Sequence, residues 1–307
     1  MLALLAPGQG SQTPGFLEPW IASDLSSSLV KGWSELSGLD LTRLGTTASA
    51  DEIRDTANAQ PLLVAAALLG AGWLFEGNYS TLSYVAGHSV GEIGVAAIAQ
   101  VIDADTAISL VTARGSEMAK AANGTNTGMS AVLGGDRDVV VAAINALGLT
   151  AANENGAGQI VAAGSLEALA KLAENAPDGS RVRPLAVSGA FHTSTMQPAV
   201  PVLAGLAKNV AAKDPILPFI SNKDGAVIEN GREILDRIVG QIAGPVRWDL
   251  CMETMAQLGV TGIIELPPAG TLAGLVKRAQ PQIETFALKT PEDIPAAREF
   301  AAKHGGK

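Results

Sequence analysis

The chain has 307 residues, 47% of them hydrophobic, and a formal net charge of −9, so it can bury a large core and is not expected to bind nucleic acid or an anionic membrane. Its single cysteine, Cys251, excludes an internal disulfide and a paired-cysteine metal or redox site. The longest apolar stretch, residues 62–75, is shorter than the roughly 20 residues that span a membrane, and we expect a cytoplasmic protein.

The first predicted element is a short buried strand over residues 2–6, which is followed by the glycine-rich turn Pro7–Gln12. This turn is not a Walker loop, which ends in Gly-Lys-Ser/Thr, and Thr13 stands where the dinucleotide fingerprint needs a glycine. Such a turn could instead bring a backbone N–H close to a nucleophile, where it would stabilise an oxyanion.

The sequence Gly87-His88-Ser89-Val90-Gly91 follows a second apolar run, residues 82–86, and precedes a helical pattern over about residues 92–101. It therefore matches the G-x-S-x-G nucleophile elbow in the strand-turn-helix context that this motif requires. Small residues on both sides of the serine permit a sharp turn, and the helix N-terminus offers free N–H groups. We predict that Ser89 is a nucleophile rather than a surface serine on an ordinary glycine turn.

A helix is predicted over residues 104–122, and Arg114 on this helix comes directly after the apolar run 107–113. The face that carries Arg114 is therefore expected to be buried, whereas Lys120 is expected to be solvated. A buried arginine needs an anionic partner, and its planar guanidinium suits a carboxylate in two-point contact.

The middle of the chain shows the order strand, helix, strand, strand, helix, strand, which is typical of a ferredoxin-like unit. The predicted strands and helices are residues 129–133, 137–147, 149–153, 159–163, 166–175 and 182–187, with Asn155 in the turn between the two central strands. We therefore predict a small ferredoxin-like subdomain over 124–188 and a discontinuous α/β domain formed by 1–123 and 189–307. A strand over 263–266, a helix from Thr271 and a weakly held tail over 288–307 complete the prediction.

A nucleophilic serine needs a base, and the chain has three histidines. His88 adjoins Ser89, and neighbouring side chains at such a turn point apart. His304 falls in the predicted tail. His192 lies where the chain re-enters the large domain, and by elimination and position we predict that it is the base.

Several motifs together give a family resemblance over nearly the whole chain. They are GQGSQ at 8–12, GHSVGE at 87–92, Arg114-Gly115, GAFH at 189–192, and Gln241 with Pro-Val-Arg-Trp at 245–248. In this order they resemble the motifs of the acyltransferase family that includes bacterial malonyl-CoA:acyl-carrier-protein transacylases. The sequence around these motifs is similar to that of the actinobacterial branch of the family. The resemblance implies an α/β-hydrolase-like core with a parallel sheet and an inserted ferredoxin-like subdomain.

The resemblance also implies a mechanism. Ser89 would carry the malonyl group as an ester, and His192 would take the serine proton and return it to the departing thiol. The backbone N–H groups of Gln9 and Val90 would form the oxyanion hole. Arg114 would pair with the free malonyl carboxylate.

Further substrate-site residues follow from the same resemblance. Gln241 matches a family glutamine whose main-chain carbonyl holds the histidine ring in place of an acid, and Asn153 and Asn155 match a polar stretch near the substrate. Phe191 keeps the bulk that would crowd an α-methyl group, whereas Gly189 departs from the histidine or tyrosine of malonyl- and methylmalonyl-selective relatives. We therefore expect malonyl-CoA as donor.

The expected partners are malonyl-CoA and holo acyl carrier protein, with no metal or cofactor, and the enzyme is expected to act as a monomer in fatty-acid or polyketide synthesis. Because carrier proteins of such pathways are acidic, a local basic face must offset the negative charge of this chain. The candidates for that face are Arg181, Arg183, Lys223, Lys277 and Arg278.

Two other functions remain open at this level. A thioesterase or esterase would use the same elbow with an acid between serine and histidine in chain order, and Asp103, Asp136 and Glu154 are candidates for that acid. A non-catalytic domain that docks carrier proteins would keep the fold without the chemistry, but the presence of serine, histidine and arginine argues against it.

Overall fold

The computed structural model describes residues 1–187 and 189–306. Residue 188, at the predicted end of the small domain, and residue 307 lie outside the described residues. The strands are β1 (Leu2–Ala6), β2 (Tyr84–Gly87), β3 (Thr127–Gly134), β4 (Thr150–Gly156), β5 (Gln159–Ser165), β6 (Ser180–Pro184), β7 (Phe219–Ile220), β8 (Val227–Ile228), β9 (Val246–Arg247), β10 (Gly262–Glu265) and β11 (Glu284–Ala287). The α-helices are α1 (Asp24–Ser37), α2 (Leu41–Thr46), α3 (Ala50–Arg54), α4 (Thr56–Phe75), α5 (Gly91–Ile98), α6 (Ala104–Ala122), α7 (Arg137–Ala146), α8 (Leu166–Glu174), α9 (Val200–Lys208), α10 (Gly231–Gln241), α11 (Trp248–Gln257), α12 (Thr271–Ala279) and α13 (Ile294–His304).

A six-stranded sheet carries the order β11-β10-β1-β2-β7-β8, and its strands are parallel except at the β7–β8 pair. Every residue of β1 is buried, as expected for a strand whose two faces are both covered by helices. In the register of β1 and β2, Ala6 lies opposite Gly87. The turn after β1 and the turn after β2 therefore emerge side by side at the carboxyl edge of the sheet.

Helix α4 is the central helix of the main hydrophobic core and is longer than the apolar stretch read from the sequence. By length and composition alone it could cross a membrane, but 78% of its most apolar window is buried inside the protein. It packs against α5, which follows the elbow, and against α6, which carries Arg114. Its apolar character is therefore explained by its place in the core.

A second, five-stranded sheet has the order β6-β3-β5-β4-β9. The first four strands pair antiparallel, whereas β9 comes from a later part of the chain and pairs parallel with β4, with Asn153 opposite Val246. The order of strands and helices between 127 and 184 agrees with the sequence prediction.

Two boundaries in this sheet were predicted wrongly. Asn155 lies within β4 and not in the turn, because the reversal is made by Gly156, Ala157 and Gly158, which all have positive φ. Strand β6 ends at Pro184, three residues earlier than predicted, and proline has no N–H to donate to a sheet.

The predicted weakly held tail was also wrong. Residues 294–304 form α13, which buries Ile294, Ala297 and Ala301 on one face and also buries His304 near its end. The spacing of three and four residues between the first three is the apolar stripe of a packed helix, and it was not recognised in the sequence.

Candidate active site

The elbow has the strand-turn-helix geometry that its motif requires. Ser89 follows β2 with a φ of 52°, in the left-handed region that non-glycine residues rarely adopt. A Cβ on Gly87 would lie 2.1 Å from the carbonyl carbon of Gly91, and a Cβ on Gly91 would lie 2.2 Å from the Ala6 oxygen. No side chain fits at either glycine, so the turn between β2 and α5 depends on both.

His192 lies beside the serine, with Nε2 2.8 Å from Ser89 Oγ and Nδ1 2.8 Å from the main-chain carbonyl of Gln241. Because a carbonyl only accepts, Nδ1 carries the proton and the lone pair of Nε2 faces the serine hydroxyl. His192 itself has a φ of 61°, so both members of the pair are held in the left-handed region.

The charge state of His192 follows from its surroundings. Burial, followed by the positive charge of Arg114, lowers its pKa to about 3. The imidazole is therefore neutral near pH 7 and is able to accept the proton of Ser89.

Arg114 is almost completely buried, at 1% exposure, as predicted from the apolar run before it. One guanidinium nitrogen, Nη2, donates to Ser89 Oγ at 3.2 Å and to Gln241 Oε1 at 2.9 Å, and Nη1 donates to Gln60 Oε1 at 2.7 Å. Its Nε is buried with no hydrogen-bond partner among the described residues. Burial lowers the pKa of Arg114 to about 10, so the group stays positively charged at neutral pH.

The glycine after Arg114 explains how this arginine reaches the serine. A Cβ on Gly115 would lie 2.8 Å from the main-chain oxygen of Thr56 at the start of α4. Helix α6 therefore packs directly on the backbone of α4, and this close approach brings Arg114 next to Gln60.

The glycine-rich turn after β1 lies directly against the elbow. A Cβ on Gly8 would be 2.8 Å from both Nδ1 and the carbonyl oxygen of His88. The neighbouring Gln9 is fixed through its side chain, which donates to Thr56 Oγ1 at 3.1 Å. On the other side, Val90 immediately precedes the first residue of α5, whose N–H groups at Gly91 and Glu92 donate to the carbonyls of His88 and Ser89.

A cavity of about 570 Å³ lies at this point, and it is lined by the turns that follow β1 and β2 and by residues of β3, β4 and β5. The predicted site residues that line it are Gln9, Ser89, Val90, Asn153, Asn155, Phe191 and His192. Gln60 also lines it, while Arg114 and Gln241 are buried beside the serine and the histidine. The residues singled out from the sequence thus come together around one cavity.

The other two histidines have different surroundings. His88 Nε2 is 2.9 Å from Asn155 Oδ1, and its ring packs edge-on against Trp248 with centroids 5.7 Å apart. Because Asn155 belongs to β4 and His88 to the elbow, this contact joins the two sheets across the cavity. His304 is buried in α13, where its Nδ1 is 3.0 Å from Thr261 Oγ1.

Sequence reasoning missed three buried polar residues around the site: Gln60, Glu92 and Asn222. Asn222 accepts the Ser89 N–H on Oδ1 at 2.7 Å and donates to the Gly87 carbonyl at 2.7 Å. Gln60 was detectable as a polar residue two positions before the apolar stretch 62–75. Glu92 was visible as the last residue of the GHSVGE motif.

Glu92 accepts hydrogen bonds on both carboxyl oxygens. The Asn222 backbone N–H donates to Oε1 at 2.7 Å, and the Gln241 side-chain amide donates to Oε2. Burial raises the pKa of Glu92 to about 8, against the opposing effects of the Asn222 N–H and the Arg114 charge. Two N–H donors, one on each oxygen, are the pattern of the ionised carboxylate.

The chain is similar to known proteins over nearly its whole length. The model of the acyl transferase domain matches residues 5–296. The malonyl CoA-acyl carrier protein transacylase of Mycobacterium tuberculosis is 51% identical over 296 residues, which cover 96% of this chain and 98% of that protein. The protein of the same name from Escherichia coli K12 is 34% identical, with 97% and 99% covered.

Solved structures give the same result. The crystal structure of MCAT from Mycobacterium tuberculosis superposes with a TM-score of 0.94 at 50% identity, covering 97% of this chain and 99% of that one. A type II PKS acyl-carrier protein in complex with its malonyl-transacylase matches with a TM-score of 0.92 at 30% identity, covering 97% and 99%. The chain therefore belongs to the acyl transferase domain family, among the malonyl CoA-acyl carrier protein transacylases.

Proposed function

We propose that the protein transfers a malonyl group from malonyl-CoA to the thiol of holo acyl carrier protein through a malonyl ester on Ser89. The observation that carries this proposal is the position of Arg114, whose Nη2 is 3.2 Å from Ser89 Oγ. In a malonyl ester the free carboxylate is only three bonds from Oγ, so its oxygens lie within about 5 Å of that atom. A buried guanidinium at this place matches a short acyl group that ends in a negative charge.

In the first half-reaction, Ser89 Oγ attacks the thioester carbonyl and gives its proton to His192 Nε2. The backbone N–H groups of Gln9 and Val90 stabilise the oxyanion that forms on the carbonyl oxygen. When the carbon–sulfur bond breaks, the CoA sulfur takes the proton from His192 and leaves as a thiol. The malonyl group then remains on the enzyme as an ester.

The second half-reaction reverses these roles. The thiol of the carrier protein gives its proton to His192 and attacks the ester carbonyl. The bond to Ser89 Oγ breaks, the serine recovers its proton from His192, and the malonyl thioester of the carrier protein departs. Because the donor leaves before the acceptor binds, the kinetics are expected to be ping-pong.

The surroundings of His192 favour the transferase over a thioesterase or esterase with an acid in its triad. Its Nδ1 faces the neutral carbonyl of Gln241. Of the three acids considered from the sequence, Asp103 and Asp136 cap the N-termini of α6 and α7, and Glu154 pairs with an arginine at 2.7 Å. The 2.8 Å contact between the serine and the histidine also argues against a docking domain without chemistry.

We also propose the domain division given by the sequence, with an α/β-hydrolase-like domain of 1–123 and 189–307 and a ferredoxin-like subdomain of 124–188. The strand order β6-β3-β5-β4 supports the second assignment, since it places the first and third strands of the unit at its centre. The parallel pair β4–β9 joins the two parts. A monomer and a cytoplasmic location remain predictions.

Initial-rate kinetics with malonyl-CoA and holo carrier protein both varied would test the proposed function. Parallel double-reciprocal lines are expected, because the two substrates react with different enzyme forms. Intersecting lines would contradict the ester intermediate. Release of free malonate at the rate of CoA release, with the carrier present, would identify a hydrolase.

A further inference from the structure

A buried carboxylate, Glu92, lies next to the reacting groups but takes no part in the proposed chemistry. It is 1% exposed and stands in the first turn of α5, three residues after Ser89. Its two oxygens accept from the backbone N–H of Asn222 and from the side-chain amide of Gln241. Both partners in turn contact the catalytic residues, so Glu92 connects to the site through two routes.

The first route fixes the orientation of the Gln241 amide. A guanidinium only donates hydrogen bonds, so the amide must present Oε1 to Arg114, which it does at 2.9 Å. Nε2 must then face acceptors, and these are Glu92 Oε2 and, at 3.3 Å, Asn222 Oδ1. A flipped amide would point its NH₂ group at Arg114, where two donors would face each other.

The second route holds the backbone of the nucleophile. The Glu92 carboxylate accepts the Asn222 N–H, and the Asn222 side chain bonds both the Ser89 N–H and the Gly87 carbonyl at 2.7 Å. Ser89 needs such support because its φ of 52° is strained for a residue with a side chain.

We propose that Glu92 is a positioning residue for donor selectivity: its carboxylate locks the Gln241 amide in the orientation that holds Arg114 beside Ser89, ready for the free carboxylate of the donor. This inference rests on the proposed function, because it assigns a task to Arg114 in that reaction. It predicts that the loss of the Glu92 charge affects malonyl-CoA more than a donor without a free carboxylate.

The substitution Glu92→Gln tests the lock with almost no change of volume. The backbone N–H of Asn222 cannot rotate, so the new amide must turn its oxygen toward that N–H and its NH₂ toward Gln241. The Gln241 amide then flips to offer its own oxygen to residue 92, and its NH₂ group meets Arg114. The guanidinium is displaced while Ser89, its base and the main-chain carbonyl of residue 241 stay in place.

The readout is the rate of Ser89 acylation by malonyl-CoA and, separately, by acetyl-CoA, at about pH 9 so that most of the wild-type carboxylate is ionised. E92Q is expected to lower the malonyl rate about 100-fold and the acetyl rate less than about threefold. Equal losses with the two donors would overturn the inference and would indicate a structural role. If the wild type formed no malonyl adduct at all, the proposed function would fail instead.

A double-mutant cycle with Gln241→Ala gives a second, independent test. This variant keeps the main-chain carbonyl that holds His192 and removes the amide, so its malonyl rate should fall only about tenfold. The double variant E92Q/Q241A should have the same malonyl rate as Q241A, because position 241 no longer has an amide that could turn its NH₂ group toward Arg114. Additive losses in the double variant would contradict the lock.

Thermal unfolding of each variant identifies a folding defect. Should E92Q fail to fold, Q241A alone can still overturn the inference, since equal losses of malonyl and acetyl acylation would show that the Gln241 amide does not hold Arg114 for the donor.

Discussion

Arg114 Nη2 and Ser89 Oγ are 3.2 Å apart, with Arg114 buried and Ser89 lining the cavity. This contact places a positive charge at the nucleophile itself, in addition to the nucleophile, base and oxyanion hole that hydrolases of the same elbow type also have. Salt and solvent screen this charge little, because Arg114 is 1% exposed. Under the proposed function, this charge would pair with the free carboxylate of the acyl group.

The selectivity for a charged acyl group should disappear with Arg114. Arg114→Ala is expected to lower the rate of malonyl acylation by about 10²–10³-fold and to affect acetyl acylation far less, because only the malonyl group loses a charge partner. Stopped-flow release of CoA from each donor measures both rates. Lys120→Ala, on the exposed face of the same helix, is the matched control and should change neither. Equal losses with both donors would contradict the role of Arg114.

The rate of malonyl acylation should fall at low pH because Glu92 becomes protonated. Burial raises its pKa to about 8, so the carboxylate that holds Gln241 becomes protonated as the pH falls through that value. Besides the Asn222 N–H, the groups that act on it are Arg114 and Arg237, which favour ionisation, and Asp224, which opposes it. The nearby Cys251 stays a thiol, because burial raises its pKa.

The histidine should not contribute to this fall in rate. Its pKa is lowered to about 3, so His192 remains a neutral base throughout the range from about pH 6 to 9. The rate of malonyl acylation by the wild type should therefore fall from about pH 9 to 6 and approach that of E92Q, whose rate should stay flat. If the acylation rate of E92Q fell with the same midpoint pH as that of the wild type, a group other than Glu92 would be responsible.

The elbow glycines should matter for stability as well as for activity. Gly87→Ala is expected to destabilise the fold by about 3 kcal/mol or more, because its Cβ would meet backbone atoms at 2.1 Å. Gly32→Ala in the middle of α1 is the matched control, since a Cβ there meets nothing within 4 Å and should stabilise the helix by about 0.5–1 kcal/mol. Urea unfolding of both variants checks the difference. A loss below about 1 kcal/mol for Gly87→Ala would mean that the turn can relax.

The carrier protein should be recognised by basic side chains near the mouth of the cavity. The five basic residues named from the sequence are all exposed, and α12, which bears Lys277 and Arg278, contributes Leu272 and Leu275 to the cavity wall. Charge reversal of Lys277 and Arg278 is expected to slow transfer to the carrier about tenfold and to leave acylation by malonyl-CoA unchanged. Reversal of Lys31, an exposed residue of α1, is the control. Equal effects on both half-reactions would exclude this docking face.

Much of the site could be predicted because its signals are local in the sequence. Ser89 is marked by glycines two residues away on each side, and Arg114 is marked by the apolar run before it. The same holds for the alternating strands and helices between 127 and 184. In each case the physical constraint, a tight turn or a buried helix face, acts on residues that are neighbours in the chain.

The parts that were missed depend on contacts between distant segments. Glu92 and Asn222 are 130 positions apart, and no local sequence pattern around either residue indicates their hydrogen bond. Asn155 was placed in the turn between two strands, but it lies within β4, and its side chain reaches His88 of the elbow, which is 67 positions away in the chain. The packing of α13 against β10 and α4 is a different case, since its apolar stripe was present in the local sequence and was not recognised.

The most direct test of the account is the intact mass of the purified protein after mixing with malonyl-CoA in the absence of acceptor. We expect one malonyl adduct that forms on the wild type, is absent in Ser89→Ala and disappears when holo carrier protein is added, with the malonyl group recovered on the carrier. An adduct that persists in Ser89→Ala, or one that is lost to water as fast as to the carrier, would contradict a transferase that acts through Ser89.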